Sequence, residues 1–252
     1  MEVKKYVKPF FGRIGGKSKI ADELINMFPD PDTYKTYVEP FVGAGNILFR
    51  KPEYEHQHEV INDLDNDVYL IFNGVKKAGS RVDKFKPIPY PTKEEWKDLK
   101  EEKKNWFSQL VCQKTSFLGH GKSWSTPDRT GGDRKPIQTV FNNTNFTVIQ
   151  ERLKDVTILH KTFQEVIKKY NQPSTFFYLD PPYENSNDYS NSVTPQEVYD
   201  AVSKIKGKFM LSYNDSDVIR KLFKEYKIKE IKTIYNMLSE KREKIELVIT
   251  NY

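Results

Sequence analysis

The stretch Thr175-Phe-Phe-Tyr-Leu-Asp180-Pro-Pro-Tyr183 limits what this chain can fold into more than any other. Residues 175–179 are apolar, aromatic or β-favouring, and the run is short, which selects a buried strand over a helix. Pro181 and Pro182 lack the N–H that a sheet ladder needs, so the strand stops at Asp180 and the chain turns there. A carboxylate, two carbonyls and the Tyr183 ring are thereby gathered at the carboxyl end of a strand. Open α/β sheets bind their ligands at that edge. The bland alternative is a strand end followed by a Pro-Pro turn, so the rest of the chain has to decide.

The flanking pattern alternates. Strands are predicted over 34–40, 59–64, 156–159, 175–180 and 208–213, and a closing pair over 228–235 and 246–251, with 239–244 as a hairpin-like connection. Helices are predicted over 17–28, 65–77, 145–153, 166–170, 194–205 and 217–226, and a helical pattern follows Asn46 in Ile47, Leu48 and Phe49. Thr194 is placed as an N-cap with Pro195 at the first helical position. Alternation of this kind predicts an α/β fold with a doubly wound sheet, and the closing hairpin makes that sheet mixed.

Two further strand ends carry ligand-like residues. Phe41-Val-Gly43-Ala-Gly45-Asn46 follows the first strand, and strand, glycine turn and helix together open a nucleotide-binding unit. Asp63 stands twenty residues after Gly43 at the tip of the next strand. An acid so placed can accept hydrogen bonds from the ribose hydroxyls of a nucleoside. Upstream, Gly12, Gly15 and Gly16 precede Lys17, and a lysine at a helix start after glycines suits an anionic group. The spacing is not that of a Walker A loop.

From Gly79 the character changes. Pro87, Pro89 and Pro91 break the chain, and Thr92 starts a charged helix expected to reach Phe117. Its 93–104 portion has five lysines and five acids, which reads as a solvated face, while 106–117 is apolar enough to pack. Residues 118–139 hold four glycines, two prolines and four Lys or Arg around Trp124, with almost nothing to bury. A long polar loop of that composition suits phosphate contact and base-edge reading, and disorder without function is the competing reading. Residues 184–192, rich in Asn, Asp and Ser, are expected to form a mobile lid over the site.

Cys112 is the single cysteine and lies in an apolar stretch, which makes it a small core residue, excludes an internal disulfide and points to a reducing interior. His56, His58, His120 and His160 have no metal-ligand spacing with it, and no metal is expected. No run is long and apolar enough for a signal region or a membrane span, so a soluble, intracellular protein is expected. The formal net charge of +6 fits a polyanion partner without demanding one.

Gly15-Gly-Lys17, Glu39-Pro-Phe-Val-Gly-Ala-Gly45, Asp180-Pro-Pro-Tyr183 and Glu246-Leu-Val-Ile-Thr-Asn251, in that order, resemble the motifs of the Dam-type, D12-class DNA adenine-N6 methyltransferases. The resemblance spans nearly the whole chain. It implies a Rossmann-like catalytic domain over 1–77 and 146–252 and a mainly helical target-recognition insertion over 78–145. Within that insertion Cys112-Gln-Lys-Thr-Ser-Phe-Leu-Gly119 is the most similar part.

The implied reaction is site-specific methylation of a flipped-out adenine with S-adenosylmethionine as cofactor and double-stranded DNA as partner, by a monomer or weak dimer, with no membrane. Asp180, Pro181, Pro182 and Tyr183 are the implied catalytic residues. Arg13, Gly16, Lys17, Glu39, Phe41, Gly43, Gly45, Asp63, Phe163 and Asp180 are the implied cofactor set. Lys114, His120, Lys122, Trp124, Arg129, Arg134 and Lys135 are the implied DNA contacts. Arg13 departs from the family, which often has an aromatic there. Two other readings compete. One is the same tetrapeptide acting on RNA or on another nitrogen. The other is a catalytically silent DNA- or cofactor-binding module, against which the intact Asp180 and Tyr183 count.

Overall fold

A computed structural model describes residues 7–13, 15–78, 87–127, 138–182, 193–237 and 240–252, with backbone alone for Leu118, 233–237 and 240–243. Seven strands form one sheet: β1 (Thr36–Glu39), β2 (His58–Asn62), β5 (Thr157–Leu159), β6 (Thr175–Leu179), β7 (Lys208–Asn214), β8 (Lys227–Met237) and β9 (Glu240–Thr250). Their spatial order is β5-β2-β1-β6-β7-β9-β8. The first five run parallel, and β9 pairs antiparallel with both β7 and β8. From β1 the chain steps outward through β2 to β5, then crosses to β6 and steps the other way. The order therefore reverses between β1 and β6, and a crevice opens there at the strands' carboxyl ends. The expected α/β, doubly wound mixed sheet is the observed one.

Every residue of β6 is buried, as its composition requires of a central strand. The period-2 alternation of strands sorts its side chains. Phe177 and Leu179 pack with α6 (Phe163–Tyr170), α7 (Pro195–Val202) and α8 (Asp217–Leu222). Phe176 and Tyr178 face the other way, onto α1 (Ala21–Asn26), with Tyr37, Met210 and Val248 beside them. A third cluster joins Ile61 of β2 to α2 (Asn66–Lys77), α4 (Trp106–Lys114) and α5 (Phe146–Leu153) through Phe10, Phe11 and Phe72. The segment between α2 and α5 thus shares its core with the sheet domain. Gly74 shows how closely: a Cβ there would lie 2.0 Å from the Trp106 ring.

Several elements differ from expectation. The charged helix is two, α3 (Lys93–Glu101) and α4. Asn105 caps α4 by accepting from the Phe107 and Ser108 amides, while Glu102 accepts from Asn105 and Ser108, so the chain reverses at 102–105. A two-stranded ladder of β3 (Ile88–Pro89) and β4 (Thr139–Val140) closes the segment. Ile47, Leu48 and Phe49 form hydrogen-bonded turns and no helix: all three are buried, so no face is left for solvent, and Pro52 follows. The helix expected from Lys17 begins only at Ala21. The expected connection over 239–244 is mostly strand, since Met237 already pairs with Glu240. Thr194 does cap α7, in a capping box with Glu197, and Pro195 is its first residue. The expected lid, 184–192, lies outside the described residues.

Candidate active site

The period that buries Phe176 and Tyr178 carries Asp180 onto the same face, just past the end of β6. Glu39 ends β1 on that face, two residues beyond Tyr37; Ser212 of β7 follows Met210 in the same way, and on the antiparallel β9 Glu246 comes two residues before Val248. Lys17, in the turn before α1, reaches this row. Its Nζ donates to Asp180 Oδ1 at 2.6 Å and to the Gly15 carbonyl at 3.3 Å, and lies 3.4 Å from Glu246 Oε1. Since α1 starts four residues after Lys17, the ammonium and not the helix dipole supplies the positive charge here.

Burial pushes the Asp180 carboxyl up to about 6, with Glu246 adding to the rise and Lys17 and Lys244 opposing it. Glu39 is fully enclosed and goes up to about 8, chiefly by burial, although the Tyr37 hydroxyl donates to it at 3.0 Å. Tyr178 is held well above the usual phenol range by burial and by the carboxylates around it. Asp180 is therefore ionised but basic at neutral pH, beside groups that keep their protons.

On the other side of the switch point, Asp63 follows β2. Its two oxygens accept from the Gly43 and Asp65 amides, each at 2.9 Å. Gly43 has φ of +51° and a Cβ there would meet nothing within 4 Å, so space stands open beside the loop. Gly45, at φ of +74°, instead lies against the Phe49 and Phe72 rings. Phe41 and Phe163 bring their ring centroids to 5.1 Å. Arg13 forms an ion pair with Asp65 at 2.8 Å. Asn62, which the sequence reading passed over, bonds the carbonyls of Pro40 and Lys161 and the Lys161 amide, tying the tips of β1, β2 and β5 together. A polar residue closing a strand directly after Val60 and Ile61 was the available signal.

The family model of the D12 class N6 adenine-specific DNA methyltransferases matches residues 14–117 and 128–237. This chain belongs to that family. It is 28% identical to the type II methyltransferase M.MjaIII of Methanocaldococcus jannaschii, over 98% of this chain and 99% of that one. To the type II methyltransferase M.CviBI of Paramecium bursaria Chlorella virus NC1A it is 25% identical, over 98% and 100%. To M1.LlaDCHI of Lactococcus lactis subsp. cremoris it is 23% identical, over 98% and 96%.

Like the rest of the D12 class, the enzyme takes its methyl group from S-adenosylmethionine, and the residues present fit that molecule. Asp63 keeps unshared lone pairs at the loop, the open space beside Gly43 admits a ligand close to the backbone, and the Phe41–Phe163 pair offers an apolar wall for a purine. Arg13, Gly16, Lys17, Glu39, Phe41, Gly43, Asp63 and Asp180 lie on loops or strand ends at the carboxyl edge, and Phe163 is the first residue of α6. Gly45 stands apart, packed on the core. Among the described residues no group of three or more His, Cys, Asp or Glu side chains could hold a metal ion. No described helix is long and apolar enough to cross a membrane.

The implied DNA contacts are less uniform. Lys114 is half-buried, donates to the Phe10 carbonyl at 3.0 Å and lies over the Phe141 ring. The Trp124 indole donates to the Pro91 carbonyl at 3.0 Å. Lys122 is exposed and His120 half-exposed on a loop closed by the Ser116–Trp124 bridge, with Phe117 56% exposed beside that bridge. Tyr183, Arg129, Arg134 and Lys135 lie outside the described residues.

Proposed function

We propose that Asp180 and the Pro181 carbonyl accept hydrogen bonds from N6 of an adenine flipped out of duplex DNA, and that Tyr183 stacks on its ring. The observation that carries this is the place of Asp180: at the β1/β6 switch point, held by Lys17, and next to the Gly43–Asp63 loop. An exocyclic amine is a poor nucleophile because its lone pair is delocalised into the ring. Two acceptors on N6 draw the nitrogen towards tetrahedral geometry and free that pair. S-adenosylmethionine supplies an electrophilic methyl group on a sulfonium. As N6 gains the methyl it gives up a proton, for which Asp180 is a sufficiently basic acceptor. Extrusion of the base costs a few kcal/mol, and aromatic stacking offsets it by roughly 1–3 kcal/mol.

Asp63 is suited to the ribose hydroxyls of the cofactor, and Phe41 with Phe163 to its adenine. The carboxylates of Asp180 and Glu246 suit a cationic donor. Residues 78–145 act as the target-recognition segment on the catalytic domain of 1–77 and 146–252, with Lys122 and the basic residues of 128–135 meeting the DNA backbone. The names of the relatives support a place in restriction–modification. A monomer or weak dimer, located wherever host or viral DNA is, completes the reading. Asp180→Ala should abolish methyl transfer from labelled cofactor to a plasmid while leaving cofactor binding and the unfolding transition in place. Transfer near the wild-type rate in that variant would sink the mechanism, and mapping the modified adenines of the wild-type product reads out the target sequence.

A further inference from the structure

Glu246 is a buried acid that no step above uses. It is 2% exposed, opens the closing-strand motif on β9, and takes a hydrogen bond of 2.6 Å from Ser212 Oγ on its Oε1. That same oxygen is 3.4 Å from Lys17 Nζ. Lysine is a point charge on a flexible four-carbon stem with three rotatable donors, so a single partner does not fix it. Here the ammonium is set between acceptors from three places: Asp180 after β6, Glu246 on β9 and the Gly15 carbonyl of its own loop. Ser212 fixes the Glu246 oxygen, Glu246 helps fix the ammonium, and the ammonium engages Oδ1 of Asp180, which leaves Oδ2 free of it.

We propose that Glu246 is a positioning residue for methyl transfer, acting through Lys17 to orient the Asp180 carboxylate towards the target amine. The carboxylates of Asp180 and Glu246 share the Lys17 ammonium, so the position of each depends on the other. Lys244 also opposes the rise at Asp180, and Glu39 on β1 and the phenol of Tyr178 on β6 itself face it.

The proposal rests on Asp180 being the acceptor for the amine, and its test keeps the two apart. The full chain is assayed with plasmid DNA as wild type, Lys17→Ala, Glu246→Ala, Glu246→Gln and the double variant Lys17→Ala/Glu246→Ala. Cofactor affinity and the unfolding transition are measured alongside. Glu246→Ala should lower kcat by roughly 10- to 100-fold with KM for DNA unchanged, and the double variant should be no slower than Lys17→Ala alone. Glu246→Gln keeps an oxygen for Ser212 and Lys17, so it should retain most of kcat. Its acid limb should move to lower pH, because the carboxylate opposing ionisation of Asp180 is gone. Wild-type kcat in Glu246→Ala, losses that multiply in the double variant, or an unmoved acid limb in Glu246→Gln would each overturn the proposal. If Glu246→Ala fails to fold, the Gln variant carries the test. Full activity in Asp180→Asn would instead remove the reading on which the proposal stands.

Discussion

Two buried lysines of this enzyme have opposite surroundings. Lys51 shares the Glu59 carboxylate with Arg152, whose Nη2 also donates to the Leu48 carbonyl at 2.9 Å, while Lys51 donates to the Pro52 carbonyl at 2.9 Å. Two cations serve the Glu59 carboxylate there, and Arg152 also lies 3.8 Å from Glu53. Burial raises the Glu59 carboxyl, but Lys51 and Arg152 outweigh it and bring it below the ordinary range. Lys17 instead lies between two carboxylates, Asp180 and Glu246, and Asp180 stays above its ordinary range even with Lys244 also opposing the rise. On the reading proposed above, the first cluster closes the molecule and the second keeps a carboxylate reactive.

The comparison breaks most visibly in stability. Arg152→Ala leaves Glu59 with Lys51 alone and should lower the free energy of unfolding by about 3–5 kcal/mol in urea titrations, with the folded fraction still transferring methyl groups. A variant as stable as wild type would erase the distinction between the clusters.

A second, smaller effect separates them by pH. Asp180 must be ionised to accept from the amine, so kcat should fall as pH drops through about 6, as read from initial rates. The stability terms have opposite signs. Glu59, depressed by its cations, contributes stability that is present above its unfolded pKa and lost as pH falls through the folded one. Asp180, raised, makes a contribution that weakens as pH climbs from its unfolded pKa towards 6. An acid limb well below 5 would show that Asp180 is better compensated than its geometry implies.

The smallest effect lies outside both clusters. Lys122→Ala should weaken DNA binding a few-fold and reduce the slope of log affinity against log salt by about one, with cofactor affinity unchanged. An unchanged salt slope would remove Lys122 from the DNA surface.

What the sequence carried was local chemistry. The end of β6 follows from two prolines, the start of α7 from Thr194 and Pro195, and the loop after β1 from Gly43. Cys112 is buried, with its thiol pushed by burial up to about 11, as its apolar neighbours suggest. What escaped depends on partners distant in the chain. Lys17 meets Asp180 only because the reversal of strand order brings β6 beside β1. Arg152 reads as an ordinary helix residue until α5 is laid against Glu59. The break at 102–105 is set by side chains of Glu102, Asn105 and Ser108 acting together, a pattern that charge counting over 93–104 does not see. Period alone also misplaced 47–49, where burial on every side replaces the one-sided stripe of a helix.

One contact joins the two halves of the enzyme's task. The Gln113 side chain donates to the carbonyls of both Gly12 and Gly119, and Gly119, at φ of +73°, sits where a Cβ would come within 2.6 Å of the Gly12 oxygen. The 116–124 loop, proposed above to meet DNA, is thus clipped to the segment that leads into Lys17. A change of target preference made by transplanting 115–125 from a relative would therefore import a new neighbour for the lysine loop. Recipients should work only when residues 10–17 travel with the graft or when glycine and glutamine are retained at 119 and 113. On that reading, specificity would be inherited as a pair of segments and not as a single exchangeable loop.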